Sequence, residues 1–211
     1  MQRAPVHVRS AKRIDGAAMA ATLARAFVDD PALGHIFPDR DSRPQRLRRF
    51  FALMLRTEDP AFIDIAVGPS EGTAENKTSS EVAAVAVWRP PGAWRTPLST
   101  MLRECMPMLA TFGTALPRTL RLQAQLEANH PPGPHWYLEF LGCDPARQGR
   151  GFGGAAVRAR LARCDETGAR AALETANPAN VPLYETLGFR VTHAFDVVRG
   201  PHFWCMWREP R

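Results

Sequence analysis

The chain has 211 residues, long enough for one well-buried domain and short for two, and its 45% hydrophobic and 23% charged residues are ordinary globular values. The net charge of +6 is almost all arginine, since Lys12 and Lys77 are the only lysines, and it suits either a polyanionic partner carrying phosphates or a plain solvated basic face. No window approaches the roughly 18 apolar residues of a membrane span. The N-terminal stretch holds no apolar signal-peptide core, and Cys105, Cys143, Cys164 and Cys205 lie too far apart for a metal-ligand pattern, so free thiols in a cytoplasmic protein are expected.

In chain order, "VHVRSA" alternates as a short strand does, and Asp15 is expected to cap a helix over 16–28, whose Met19, Leu23 and Phe27 recur every four residues. Pro31 and Pro38 punctuate the stretch after this helix. A second helix, "RPQRLRRFFALMLR", puts Leu47, Phe50, Phe51, Met54 and Leu55 on one face. Two strand-like runs, "AFIDIAV" and "EVAAVAVW", flank the polar "GPSEGTAENKTSSE", which reads as a mobile loop without catalytic work. Residues 97–129 read as helical, broken near Gly113 and Pro117, with methionines that serve either as core filler or as an adaptable pocket wall.

The second half alternates strand and helix. "WYLEFLGC" is a strand, "GGAAVRARLARCDETG" a helix, "AALETA" a strand and "VPLYETLG" a short helix, before closing strands around "FRVTHAFDV" and "HFWCMWRE". That alternation predicts an α/β fold with a mixed sheet, and one domain over 1–211.

The stretch "CDPARQGRGFGGAAV", Cys143 to Val157, crowds glycines between a strand and a helix. An RNA-binding RGG box would be repetitive, and this run occurs once. A Walker-type loop needs Gly-Lys-Ser/Thr where Gly153, Gly154 and Ala155 stand. There remains a strand–loop–helix whose backbone N–H groups and helix dipole can hold an anion without lysine.

Gln148-Gly149-Arg150-Gly151-Phe152-Gly153 fits the Arg/Gln-x-x-Gly-x-Gly/Ala motif, and "NPANVPLYETLGFRV" carries asparagines ahead of a Tyr-x-x-x-Gly-Phe. Together these resemble the two landmarks of the GNAT superfamily of acetyl-CoA-dependent N-acetyltransferases. Further second-half stretches are similar to its puromycin-acetylating members. The resemblance implies a mixed, largely antiparallel central sheet with splayed fourth and fifth strands, flanking helices, and a helical insertion over 97–130 that shapes the acceptor site. It implies acetyl transfer from acetyl-CoA to a primary amine of a small molecule, an antibiotic or other xenobiotic, by direct attack in a ternary complex. A protein or peptide N-acetyltransferase and a non-catalytic acyl-CoA-binding module are the alternatives. No nucleic-acid or membrane partner is expected, and the chain would be a monomer or homodimer.

On the same resemblance, the amides of Leu141 and Cys143 meet the pantetheine arm. Gln148, Gly149, Arg150, Gly151, Phe152, Gly153 and Gly154 form the pyrophosphate loop, and Arg147 and Arg150 either add charge there or are simply loop arginines. Tyr184 occupies the general-acid position, and Asn180 either caps the Tyr184 helix or touches the donor. Glu139 is the candidate base or else a salt-bridge partner, a carboxylate in an apolar strand being costly unless paired or functional. Strand alternation puts Tyr137, Glu139, Leu141 and Cys143 on one face. His135 is either a base or a strand-start histidine, and Cys143 is expected to pack rather than carry an acyl group.

Overall fold

The computed structural model describes residues 6–69 and 80–211, so most of the polar stretch 68–81 lies outside the described residues. Its strands are β1 (His7–Ser10), β2 (Ile63–Pro69), β3 (Ser80–Arg89), β4 (Trp136–Cys143), β5 (Ala171–Thr175), β6 (Arg190–Asp196) and β7 (His202–Arg208). They form one sheet in the order β1-β2-β3-β4-β5-β7-β6. Every neighbouring pair is antiparallel except β4 and β5. Parallel strands need a crossover, and helix α7 (Phe152–Thr167) supplies it. The parallel pairing covers only Trp136 with Ala171 and Tyr137 with Ala172. Beyond that point the two strands diverge, as the splayed-strand expectation requires.

Helices α1 (Gly16–Ala26), α2 (Pro31–Ile36) and α3 (Arg43–Thr57) cover one face of the sheet. Leu23, Leu47, Phe51 and Ile65 are fully buried there; each such side chain contributes about 1.5–3 kcal/mol by leaving water. On the other face α7 packs Val157 and Leu161 against Trp88, Leu138 and Leu173. Between β3 and β4 come α4 (Leu98–Arg103), α5 (Cys105–Phe112) and α6 (Leu116–Asn129). Phe112 anchors this insertion, its ring stacked 6.0 Å from Phe37 and meeting Phe50 edge-on at 5.7 Å. Gly113, at φ +49°, turns the chain from α5 to α6 close to the expected break. A second break, at Glu104, was not expected.

Three local expectations are corrected. Helix α1 ends at Ala26, short of Val28. Asp15 stands at its N-cap position but does not cap it: the carboxylate accepts from Arg9 at 2.7 and 2.9 Å and from the Lys12 N–H at 2.7 Å. A nearby guanidinium outcompetes the helix amides. Pro31 does more than punctuate, since it opens α2 at its first turn while Asp30 accepts the Ala32 and Leu33 N–H groups at 2.9 Å.

Candidate active site

The register of β3 against β4 slips where Val87 pairs with Phe140 and Trp88 with Leu138, leaving Glu139 as the extra residue of a β-bulge. Strict alternation therefore fails. Leu138, Leu141 and Cys143 pack on the α7 side, while Phe140 joins the α1–α3 core. Gly142 faces α1 so closely that a Cβ there would lie 2.7 Å from Leu23 Cδ2. Glu139 thus does not share a face with Leu141 and Cys143, and the one-face expectation is overturned by a single inserted residue.

The splay leaves one edge of β4 open past Tyr137. The Asp144 N–H donates to the Ala83 carbonyl of β3 at 2.9 Å, so in this antiparallel ladder Asp144 and Gly142 bond toward β3. The intervening amides of Leu141 and Cys143 then face the open edge. That is where an extended amide-bearing arm could pair with them.

At the end of that edge lies the glycine loop. Gly149 (φ +71°) and Gly151 (φ +90°) adopt left-handed backbone, and a Cβ at either would meet nothing within 4 Å. Conformation, rather than crowding within the chain, calls for glycine there. Gly151 is the N-cap of α7 and no side chain caps the helix, leaving the first-turn amides of Phe152, Gly153 and Gly154 without helical acceptors. A Cβ on Gly153 would sit 3.8 Å from Cys143 Cβ and 3.9 Å from Leu141 Cδ1, so loop and open edge are contiguous. Phe152 packs into the core beneath the loop. Gln148 and Arg150 are exposed, with Gln148 Nε2 3.5 Å from the Cys143 carbonyl. Arg147 is buried and donates to Glu81 at 2.6 Å, which makes it a tie between loop and β3. These features fit a donor with a diphosphate and an amide-bearing arm.

Tyr184, on α8 (Val181–Thr186), is buried with its ring 6.1 Å from Phe189. Burial, and then the nearby Asp30, hold its phenol well above the ordinary value, so it keeps its proton. Asn180 is at the N-cap position of α8 but makes no side-chain cap; Asn177 caps the preceding turn through the Ala179 N–H at 3.0 Å. Cys143 Sγ lies 3.7 Å from the Asp144 carbonyl, and burial pushes its thiol up, against any role as a thiolate.

Glu139 accepts from Arg89 Nε at 2.7 Å and from its terminal nitrogen at 3.2 Å, and that nitrogen also donates to Glu58 at 2.7 Å. One guanidinium serves two half-buried carboxylates, so the fully ionised triad carries an excess negative charge. Burial, and then Glu139, push the Glu58 carboxyl up to about 7 despite its bond to Arg89.

Tyr184, Asn180, Glu139 and Leu141 all line a cavity of about 580 Å³ between the diverging strands and the insertion. Its roof is apolar, with Met54, Met101, Met108, Phe112, Leu122 and Leu126. Its charged lining is five carboxylates (Asp30, Glu104, Glu127, Glu139 and Glu174) against the single Arg95. Glu104, Glu127 and Glu139 are each paired with an arginine, so among the described residues the lining carboxylates without an arginine partner are Asp30 and Glu174.

Two lining residues were not foreseen. Glu174 on β5 has a side chain only 2% exposed, and neither carboxylate oxygen has a hydrogen-bond partner. A carboxylate in the apolar strand "AALETA" is the same signal that singled out Glu139, so it was there to be read. His130 follows α6 in "HPPGPH", stacked 3.8 Å on Trp94, and no sequence pattern marks it. His135 stands directly before β4, as a strand-start histidine does, and is buried with Nε2 3.0 Å from His130 Nε2.

Residues 111–189 match the model of the Acetyltransferase (GNAT) family. The fold resembles a Corynebacterium glutamicum protein described as histone acetyltransferase HPA2 and related acetyltransferase, at 25% identity and TM-score 0.70, covering 98% of this chain and 97% of that one. It also resembles arylalkylamine N-acetyltransferase 2 of Aedes aegypti (12% identity, TM-score 0.61, 98% and 99% covered). An agmatine N-acetyltransferase is similar as well (14% identity, TM-score 0.62, 97% and 100% covered). Among the described residues no helix is long and apolar enough to cross a membrane.

Proposed function

Because this chain belongs to the GNAT family of acetyl-CoA-dependent N-acetyltransferases, we propose that its acceptor is the primary amine of a small, largely apolar molecule of the antibiotic or xenobiotic kind. The observation that carries this reading is the roofed cavity of about 580 Å³, lined by apolar side chains of the insertion and, on the sheet side, by the carboxylates Glu139 and Glu174. A volume of that order holds a drug-sized molecule. Carboxylates draw in an ammonium, and the apolar roof removes the rest of the acceptor from water.

The chain's residues divide the work. The open amides of Leu141 and Cys143 orient the donor's arm, while the amides of the glycine loop and the first turn of α7 hold its diphosphate. Attack by the amine forms the C–N bond and breaks the thioester C–S bond. Tyr184 gives the departing sulfur its proton from a site where burial keeps the phenol protonated. Glu139, held by Arg89 in the cavity wall, adds to the negative charge that draws in a cationic acceptor.

The test is mass spectrometry after incubation with acetyl-CoA and an amine panel: puromycin, polyamines, aminoglycosides, amino acids and a basic peptide. Gain of one acetyl group on a compact apolar amine in preference to the peptide is expected. Acetylation of the peptide alone would overturn the small-molecule reading in favour of a protein acceptor.

A further inference from the structure

Resting on that reading, we propose that Glu174 and His130 form the seat of the acceptor's ammonium group, the carboxylate binding it and His130 Nδ1 taking its proton. Glu174 is the most conspicuous anomaly in the cavity. A carboxylate removed from water is unfavourable unless it is paired; neither Glu174 oxygen has a partner at hydrogen-bond geometry, and Tyr137 is a neighbour whose phenol is held well above its ordinary value by burial and then by Glu174. His130 Nδ1 stands 3.7 Å from Glu174 Oε1, too far for a direct hydrogen bond.

The tautomer of His130 follows from its neighbour. His135 Nδ1 lies 2.9 Å from the Gly133 carbonyl, which can only accept, so that nitrogen carries hydrogen. Burial lowers the His135 pKa and keeps its ring neutral, leaving Nε2 as an acceptor. His130 Nε2, 3.0 Å away, must then be the donor of that bond. In a neutral His130 the lone pair therefore sits on Nδ1 and faces the Glu174 carboxylate. Two acceptors confronting each other across 3.7 Å leave room for one donor cation that hydrogen-bonds both.

Trp94 stacks on the other side of His130, and Tyr137 meets its ring edge-on at 5.0 Å, so the imidazole is clamped. An ammonium seated here gives one proton to His130 Nδ1 and becomes the nucleophile. As the C–N bond forms and the C–S bond breaks, the sulfur takes a proton from Tyr184. The amide nitrogen loses its second proton, which restores the phenol, and one proton in all passes from His130 to solvent.

Binding of 2-phenylethylamine and of its uncharged counterpart 2-phenylethanol, measured by calorimetry without donor, tests the seat apart from turnover. The wild-type protein is expected to prefer the amine at least tenfold, and Glu174→Gln to abolish that preference while melting at the same or a higher temperature. No preference in wild type, the same preference in Glu174→Gln, or a lower melting temperature would overturn the proposal, the last by making Glu174 a structural partner. The nitrogen NMR shift of His130 Nδ1 should move from the lone-pair to the protonated range when amine binds; an unmoved shift removes His130 as proton acceptor. If the amine binds through Glu174 but is never acetylated, the proposed function fails alone.

Discussion

Tyr184 and Glu58 show how burial, reinforced by a neighbouring carboxylate, holds a proton on a side chain at or near this cavity. The Tyr184 phenol keeps its proton throughout the physiological range, as a donor to sulfur must. General-acid catalysis is worth about 10²–10⁴ in rate, so Tyr184→Phe should lower kcat at least tenfold with little change in acetyl-CoA affinity, as read by steady-state kinetics and calorimetry. Unchanged turnover would reduce Tyr184 to packing. Glu58 carries a different signature. Its folded pKa of about 7 lies above the ordinary 4.5, so between those values the folded state binds more protons than the unfolded one and stability falls as pH rises. Glu58→Gln, uncharged at any pH, should melt above wild type at pH 8, with the gap closing toward pH 4.5. Thermal melts across that range decide it, and a constant gap would mean that Glu58 does not titrate there.

At the scale of single elements, sequence pattern reached furthest where one periodicity ran without interruption. The strands of the second half, the face of α3 and the glycine loop before α7 stand where their patterns put them. The pattern failed where one residue broke a period: Glu139 bulges from β4, and every side chain after it changes face. A bulge depends on the pairing partner, which lies about 50 residues away along the chain, and so leaves no local mark. Helix α2, six residues opened by Pro31, is too short for periodicity to show. His130 becomes a site residue only because the insertion folds back over β5, which adjacency in sequence does not reveal. The glycine loop yields its own prediction. At φ +90° an alanine at Gly151 is strained by about 1–2 kcal/mol, so Gly151→Ala should melt several degrees lower and bind acetyl-CoA more weakly. Gly151→Asn, better tolerated in left-handed backbone, should lie between the two. An alanine variant equal to wild type in melting and titration would show that the loop relaxes into another conformation.

Across the whole molecule, charge is partitioned by depth: basic overall, acidic within the cavity. A polyphosphorylated donor and the cationic acceptor that we propose would therefore meet opposite signs on the same chain. The divided sheet has a mechanical consequence of its own. With β4 and β5 joined by two residue pairs, β1–β4 and β5–β7–β6 are two leaves sharing a short hinge. An extended arm bonded to Leu141 and Cys143 and lying against β5, as we propose for the donor, would act as the missing rung between them. Deuterium exchange should therefore slow on acetyl-CoA binding not only at Leu141 and Cys143 but also in the β5–β7 ladder, and protection confined to β4 would show that the leaves are already locked. On this design the donor should stiffen the molecule that binds it, and release of the spent donor at each turnover should loosen it again.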